Sequence, residues 1–553
     1  MVGGFRPDSF LKGYCSVIAN ISEEQSSEID GLDGHTFHIP SRFPVRIEVG
    51  CDEYRVTAEA LEALGHDPSL YCRGANIVQV VEDATTGERI PRIASLSKPI
   101  IRDRLSERCW FFRLVKGEEK PGEQQVPPPT STVNTIADRG HYDDIFRPLR
   151  GVVTSPFIRP DGGIVTNPGY DDGTGYLHLP IGEFPTIKDD PTLADAVAAR
   201  DRLLEVVQDF PFATDPDKAA WLAYLLTMVG RSMFHGPAPM FLIDANVRGS
   251  GKGLLADIGA IIAFGRSIAV TPIPENDAEF RKRITTTAIN ADPVVLLDNA
   301  DRSLGCASLD AVLTSDVWKD RILGRSEQVE LPIKTVWVAT GNNLQVKGDL
   351  SRRVVQLRLD SRLERPEERD GFRFPDLRKH VRENRPALYV AALTILRAWS
   401  ITTERLDHGL KPWGSFEAWT EAIRGAIMLV GLPDPIETRN RLMETSDPET
   451  EAYAALLESW SEVRIHHKPD GDTGIASVTA SELIRICKSD RSQFPSMIHA
   501  LESLMGADIV DITSRALGRR FAHYHGRVIG EKRLARTSGS GGIAKWFVQE
   551  AGG

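Results

Sequence analysis

Cysteine is scarce in this chain, and its spacing excludes two kinds of site at once. The six cysteines, Cys15, Cys51, Cys72, Cys109, Cys306 and Cys487, include no C-x-x-C pair. Neither a zinc site nor a disulfide framework is indicated, and the pattern is that of reduced thiols in a cytoplasmic protein. Long apolar runs are also missing, so no membrane span is expected. The stretch MVGGFRPDSFLKG lacks the long apolar core that a signal peptide needs. There is no excess of positive charge. The net charge is −11, so nucleic acid can bind only through local basic patches. No internal repeat recurs, which argues against a solenoid. The remainder, 41% hydrophobic and 26% charged, is ordinary for a globular protein. At 553 residues the chain has room for about three or four domains.

Residues 1–145 read as a mixed α/β region. Helices are expected at Tyr54 to Leu64 and Ser97 to Glu107, with strands at Ala75 to Glu82 and Cys109 to Val115. A charged, proline-rich stretch, Lys116 to Thr132, follows, with Thr130 or Ser131 as the cap of a further helix. Residues 146–184 form a connector whose turn-rich segment, Arg159 to Pro180, reads as hairpins. Residues 185–400 carry the chemistry, residues 401–476 read as helices and an acidic connector, and residues 477–553 read as three helices followed by strands. That last order fits a winged-helix domain.

Within the central block, Met240 to Ile243 is an apolar run that reads as a buried strand. Arg248-Gly249-Ser250-Gly251-Lys252-Gly253 follows, and a helical pattern begins at Leu254. Strand, glycine turn and helix is the order a phosphate cradle requires. Backbone N–H groups close on the phosphates, the helix N-terminus adds partial positive charge, and the lysine neutralises the outer phosphates. Two positions depart from GxxxxGK[ST]. Asn246 stands for the first glycine, and Gly253 for the hydroxyl that normally holds Mg²⁺.

Three further signals follow in order. Val294 to Leu297 reads as a short buried strand ending in Asp298, 46 positions after Lys252. A carboxylate at such a strand tip can hold Mg²⁺ through water. The next residue is Asn299, where a second acid would polarise the attacking water. An amide can orient water but cannot take its proton. Glu275 and Glu279 are substitutes only if the strand before them, Ser267 to Ile273, neighbours the glycine loop. The β-branched run Thr335 to Thr340 must be another central strand, ending in Asn342 and Asn343. An amide between the phosphate loop and the acidic strand can sense the γ-phosphate. Finally, Arg352 and Arg353 precede a strand, Val354 to Leu359. Arginine stabilises charge on a transferring phosphoryl group, often from a neighbouring subunit.

VRGSGKG, VVLLDNAD, WVATGNN and DLSRR, in that order, resemble the AAA+ ATPases of helicase superfamily 3, and in particular the helicase half of phage, satellite and plasmid primase-helicases. The flank DGGIVTNPGYDDGTGYL is similar to the region before the ATPase in such proteins. The resemblance covers roughly residues 50 to 400 and implies an α/β P-loop AAA+ core between a mixed α/β domain and a winged helix. It implies ATP and Mg²⁺ as cofactors. Gly249 to Gly253 would cradle phosphate, Lys252 contact the β/γ-phosphates, Asp298 bind Mg²⁺, Asn342 act as sensor and Arg352 or Arg353 as trans-acting finger. It also implies a homo-hexameric ring on single-stranded DNA. No primase half is evident, so a separate chain would supply one.

Two segments suggest DNA contacts. Trp318 to Lys334 reads as two strands around a turn, and the resemblance suggests a pore hairpin with Arg325 or Lys347 on phosphates. Between Arg515 and Lys545 the basic residues include Arg519, Arg520, Arg527, Arg533 and Arg536, opposed only by Glu531. A winged helix with this charge suits duplex DNA. The expected function is an ATP-dependent DNA helicase or translocase for replicating a phage, plasmid or mobile element. The alternative is a loader or origin-melting initiator that binds nucleotide and DNA without processive unwinding.

Overall fold

A computed structural model describes residues 45–550 and the short strands 29–30 and 36–37. It leaves out residues 84–89, 116–121, 301–303, 322–327, 345, 403–411, 440–441, 443–447, 467–476, 530 and 539–542. The chain forms two compact units. The first comprises residues 1–152, 169–179 and 326–331; the second comprises 153–168, 180–325 and 332–553.

In the first unit, helices Glu53–Gly65, Lys98–Arg108 and Thr130–Asp138 share a core with the strands Val45–Glu48 and Cys109–Val115. Ile47, Leu64, Leu105 and Phe111 are almost wholly buried there. The strands Leu70–Arg73, Asn76–Asp83 and Ile90–Ser95 form an antiparallel sheet; of these, only the middle one was foreseen. The helix at Thr130 is preceded by Pro129 as cap, with no side-chain cap bond. Three consecutive prolines, Pro127 to Pro129, hold the chain extended up to that point, and Thr130 is therefore already helical. The hairpin reading of Arg159 to Pro180 holds locally. Phe157–Ile158 pairs antiparallel with Ile164–Val165, and Gly169–Asp171 with Tyr176–His178.

The second unit is built on a five-stranded parallel sheet. Its entry is helix α1 (Leu193–Val206), started by a capping box in which Thr192 and Asp195 satisfy each other's backbone N–H. Helix α2 (Asp215–Val229) is buried on every face from Ala219 to Val229, a run that is apolar apart from the hydroxyls of Tyr224 and Thr227. Strand β1 (Met240–Ala245) then leads through the glycine loop into α3 (Lys252–Phe264). Next come β2 (Val270–Pro272), α4 (Asp277–Asn290), β3 (Val294–Ala300), β4 (Val336–Asn342), β5 (Val354–Leu359) and the long helix α5 (Leu377–Ile401). The sheet order is β2-β3-β4-β1-β5, every neighbouring pair parallel. Continuous apolar runs are what a sheet covered on both faces requires. Tyr224 of α2 reaches α3, its hydroxyl donating to the Ala256 carbonyl at 3.0 Å.

A separate apolar cluster closes the chain. Helices Ala480–Ser489, Pro495–Met505 and Ser514–Tyr524 precede the antiparallel strands Val528–Ile529, Lys532–Ser538 and Ala544–Glu550. The helix Pro448–His466, whose first residues overlap the acidic stretch Pro433 to Glu451 read as connector, puts Tyr453, Leu456 and Trp460 into the same cluster.

Between α5 and that cluster, a π-helical turn, Thr420–Arg424, runs into the helix Gly425–Leu429. A Cβ at Gly425 would fall on the Trp399 indole of α5. Gly425→Ala should therefore destabilise the protein by about 1–3 kcal/mol, read as a lower urea midpoint; an unchanged midpoint would mean the two helices can separate freely.

Candidate functional site

The loop between β1 and α3 depends on two left-handed glycines, Gly249 at φ 75° and Gly251 at φ 87°. Gly251 caps α3, so the helix begins at Lys252, two residues before the apolar pattern indicates. A Cβ at Gly251 would lie 2.9 Å from the Phe210 ring, and one at Gly249 would strike the Glu367 carboxylate. Glycine is needed at both positions for space as well as for φ. Asn246 is different. Its φ is not left-handed, and its side chain holds Ser361, donating to the carbonyl at 2.8 Å and accepting from the N–H at 3.0 Å. An amide there ties the loop to the end of β5, which glycine could not do. The Ser250 hydroxyl donates to the Val247 carbonyl at 2.7 Å and closes the turn. Arg248 and Gly253 are exposed, and nothing lies within 4 Å of a Cβ built at Gly253.

Strand β4 runs between β1 and β3, with Asn342 opposite Ala245. This register brings the tip of the middle strand to the start of α3. The Lys252 Nζ donates to Asn342 Oδ1 at 2.7 Å. Among the described residues the lysine thus meets an amide, not a carboxylate. Burial lowers its pKa, opposed by the charges of Asp244 and Asp298. An ammonium group partly stripped of water, at a helix N-terminus, is suited to an incoming anion.

Asp298 and Asn299 sit where β3 slips against β4. Leu297 pairs with Ala339, but Ala300 pairs with Gly341. The bulge turns Asn299 left-handed, at φ 56°, a conformation asparagine tolerates better than most residues. It also lifts both side chains out of the ladder. The Thr340 hydroxyl donates to Asp298 Oδ1 and accepts the Asn299 N–H at 3.1 Å. Among the described residues no group of three or more His, Cys, Asp or Glu could hold a metal ion by itself. With Gly253 supplying no hydroxyl, Asp298 suits a cation that keeps most of its water and takes the rest of its shell from phosphate, which is how Mg²⁺ is usually held.

A network beneath the loop was not foreseen. Asp244 of β1 is 1% exposed. It accepts the Leu344 N–H at 3.0 Å, the Gln356 amide at 3.4 Å and Arg358 Nη1 at 2.5 Å. Arg358 also donates to Asn343 Oδ1 at 3.1 Å. Burial raises the pKa of Asp244, opposed by the Leu344 N–H and the Arg358 charge. The available signal was an acid inside a fully apolar strand, which must find partners.

The paired arginines separate. Arg353 donates to the Asp310 carbonyl at 2.6 Å and pairs with the carboxylates of Asp310, at 3.1 Å, and Asp349, at 3.5 Å. Arg352 is exposed at the end of a 3₁₀ turn, Gly348–Arg352. Glu275 and Glu279 do not meet the condition set for them. β2 is the sheet edge, separated from β1 by β3 and β4, and Glu279 pairs with Lys282 at 2.6 Å. The two strands of the expected hairpin are Val317–Arg321 and Gln328–Pro332. Arg325 lies outside the described residues, and Lys347 is exposed.

At the C-terminal end, Arg519 is exposed on the helix Ser514–Tyr524. Arg520 and Arg527 lie over the Tyr524 ring at 5.4 and 5.6 Å. Arg533 is half-buried on strand Lys532–Ser538.

No protein-family model and no curated protein matches the chain. Among solved structures, the chain is similar to the apo A form of the NrS-1 C-terminal region, with 12% identity and a TM-score of 0.35, over 85% of this chain and 96% of that one. It is also similar to the SCCmec type IV Cch helicase, at 9% and 0.31, over 88% and 98%. The JCV helicase is similar at 11% and 0.19, over 48% and 71%.

Thr340→Val removes the donor to Asp298 and the acceptor for the Asn299 N–H. It should cost about 1–2 kcal/mol of stability, measured by urea unfolding; no change would mean water replaces Thr340 without loss.

Proposed function

We propose that the chain binds ATP at the C-terminal edge of its parallel sheet and hydrolyses it to drive movement along DNA, as a superfamily 3-type AAA+ helicase or translocase. The observation that carries this reading is the contact of Lys252 with Asn342. It joins the glycine loop to the tip of the strand between β1 and the Asp298 strand. Backbone N–H groups from Gly249 to Gly253 hold the phosphates, and Lys252 leaves Asn342 to neutralise the outer ones. Asn342, released, orients water at the terminal phosphate. Asp298, oriented by Thr340, would hold Mg²⁺ through water; the ion, when bound, offsets phosphate charge.

The arginine most available to a neighbouring copy is Arg352, because Arg353 is engaged within its own chain. In this reading the chain acts as a homo-hexameric ring. Arg325 or Lys347 touches single-stranded DNA, and the C-terminal cluster, read as a winged helix, lays Arg519 and its basic neighbours on duplex phosphates. Replication of a phage, plasmid or mobile element, with a separate primase, is the setting this suggests.

Asn299 favours a second reading, an initiator that binds nucleotide and DNA but turns ATP over slowly. Phosphate release with and without single-stranded DNA separates the two. DNA-stimulated turnover that Lys252→Ala abolishes supports the motor; turnover unchanged in Lys252→Ala removes the phosphate-loop assignment. Asn299→Asp, which the left-handed backbone accepts, should raise turnover by about tenfold or more if a missing base limits the rate. If the rate stays flat, the base is elsewhere or chemistry is not limiting.

A further inference from the structure

The segment between β5 and α5, residues 360–376, has no role in the reading above, yet it brings a carboxylate against the glycine loop. It is pinned on both sides. After β5, the Asp360 N–H donates to the Pro211 carbonyl at 2.7 Å, and Ser361 is held by Asn246 of the loop itself. Before α5, Arg369 donates to the Asp209 carbonyl at 2.6 Å, and the Arg373 N–H donates to the Asp209 carboxylate at 2.8 Å. Between these anchors a 3₁₀ turn, Pro366–Glu368, carries Glu367.

Glu367 fills the space that a side chain would take at Gly249. A Cβ built there lies 3.1 Å from the carboxylate carbon of Glu367 and 3.2 Å from its Cβ. The other acid of the turn, Glu368, is paired with Arg365 at 3.0 Å, and Arg373 is paired with Glu205. Glu367 is exposed and has no hydrogen-bond or ion-pair partner among the described residues. Of the loop's own cations, Lys252 is engaged with Asn342 and Arg248 is exposed. A loop of this kind gathers N–H dipoles that attract anions. A carboxylate fixed at its rim works against that attraction, because like charges a few ångströms apart repel even through a partly screened medium.

We infer that Glu367 sets how tightly the glycine loop holds its nucleotide: the carboxylate beside Gly249 opposes phosphate charge, weakens the hold on ATP and ADP, and hastens release of ADP. The inference rests on the phosphate-loop reading and adds a residue from a segment that reading leaves unused. Asp209 and Asn246 act through Glu367 as positioning residues, since they anchor the two sides of the segment that presents it. The loop is thus built to grip phosphate and is kept from gripping it too long.

The test is binding of a fluorescent ADP to full-length wild-type protein, Glu367→Gln, Glu367→Lys and Lys252→Ala, with dissociation followed by a chase of unlabelled ADP. In low salt, Glu367→Gln should lower the Kd by about fivefold or more and slow release to match, and Glu367→Lys should go further in the same direction. The gain should shrink in about 1 M salt, where charge acts over only a few ångströms. An unchanged Kd in both Glu367 variants overturns the inference. Weaker binding by Glu367→Gln also overturns it, since the carboxylate would then help to hold the nucleotide. So does a gain that salt leaves intact, which would make it an effect of packing and not of charge. Binding that Lys252→Ala leaves unchanged is a separate result and removes the phosphate-loop reading itself.

Discussion

A carboxylate inside a parallel sheet is the constraint on which the rest of the site depends. Asp244 stands in β1, where every other residue from Met240 to Ala245 is apolar and buried. A buried acid without partners would cost several kcal/mol or take up a proton. Its partners come from the loop after β4 and from β5: the Leu344 N–H, the Gln356 amide and the Arg358 guanidinium. Satisfying one acid thus aligns three strand ends. Arg358 extends the arrangement to Asn343, and Asn246 adds the tie to Ser361. With β4 held against β1 in this register, Asn342 meets Lys252.

The departures from the usual phosphate-loop pattern differ in kind. Asn246 is structural, since its amide does work glycine could not do. Gly253 has open space around it, so no steric reason excludes a hydroxyl there. Asn299 follows from the bulge in β3, which demands a left-handed residue and leaves its side chain exposed. On the proposed reading these features describe a site that grips phosphate through backbone and lysine and relies little on side chains around the metal. On that reading more of the burden falls on an arginine from a neighbouring copy, and Arg352 is exposed.

Much of the fold was legible because its signals are local. The run at Met240, the glycine loop, the strand ending at Asp298 and the strand ending at Asn342 each announce themselves within a few residues. The helices and strands of the C-terminal cluster follow the same rule. Elements failed where a neighbour decided the outcome. The cap at Thr130 gave way to three prolines. The helix Pro448–His466 starts inside the polar stretch read as connector, and Tyr453 and Trp460 beyond that stretch give it a core to enter. The strands Leu70–Arg73 and Ile90–Ser95 are short and need their partner between them.

By itself the sequence determined which residues can carry phosphate chemistry and the order in which they occur, because glycine φ, lysine charge and β-branched periodicity act over a few residues. Tertiary structure alone decided which of them meet. Strand order put Asn342 beside Lys252 and left β2, the strand before Glu279, on the far edge of the sheet. Ion pairing separated Arg353 from Arg352. Packing let the Trp413 indole meet both the Arg352 carbonyl and the Arg439 guanidinium across distant stretches of chain. Contacts of this kind depend on desolvation and pairing across long separations, which no local pattern encodes.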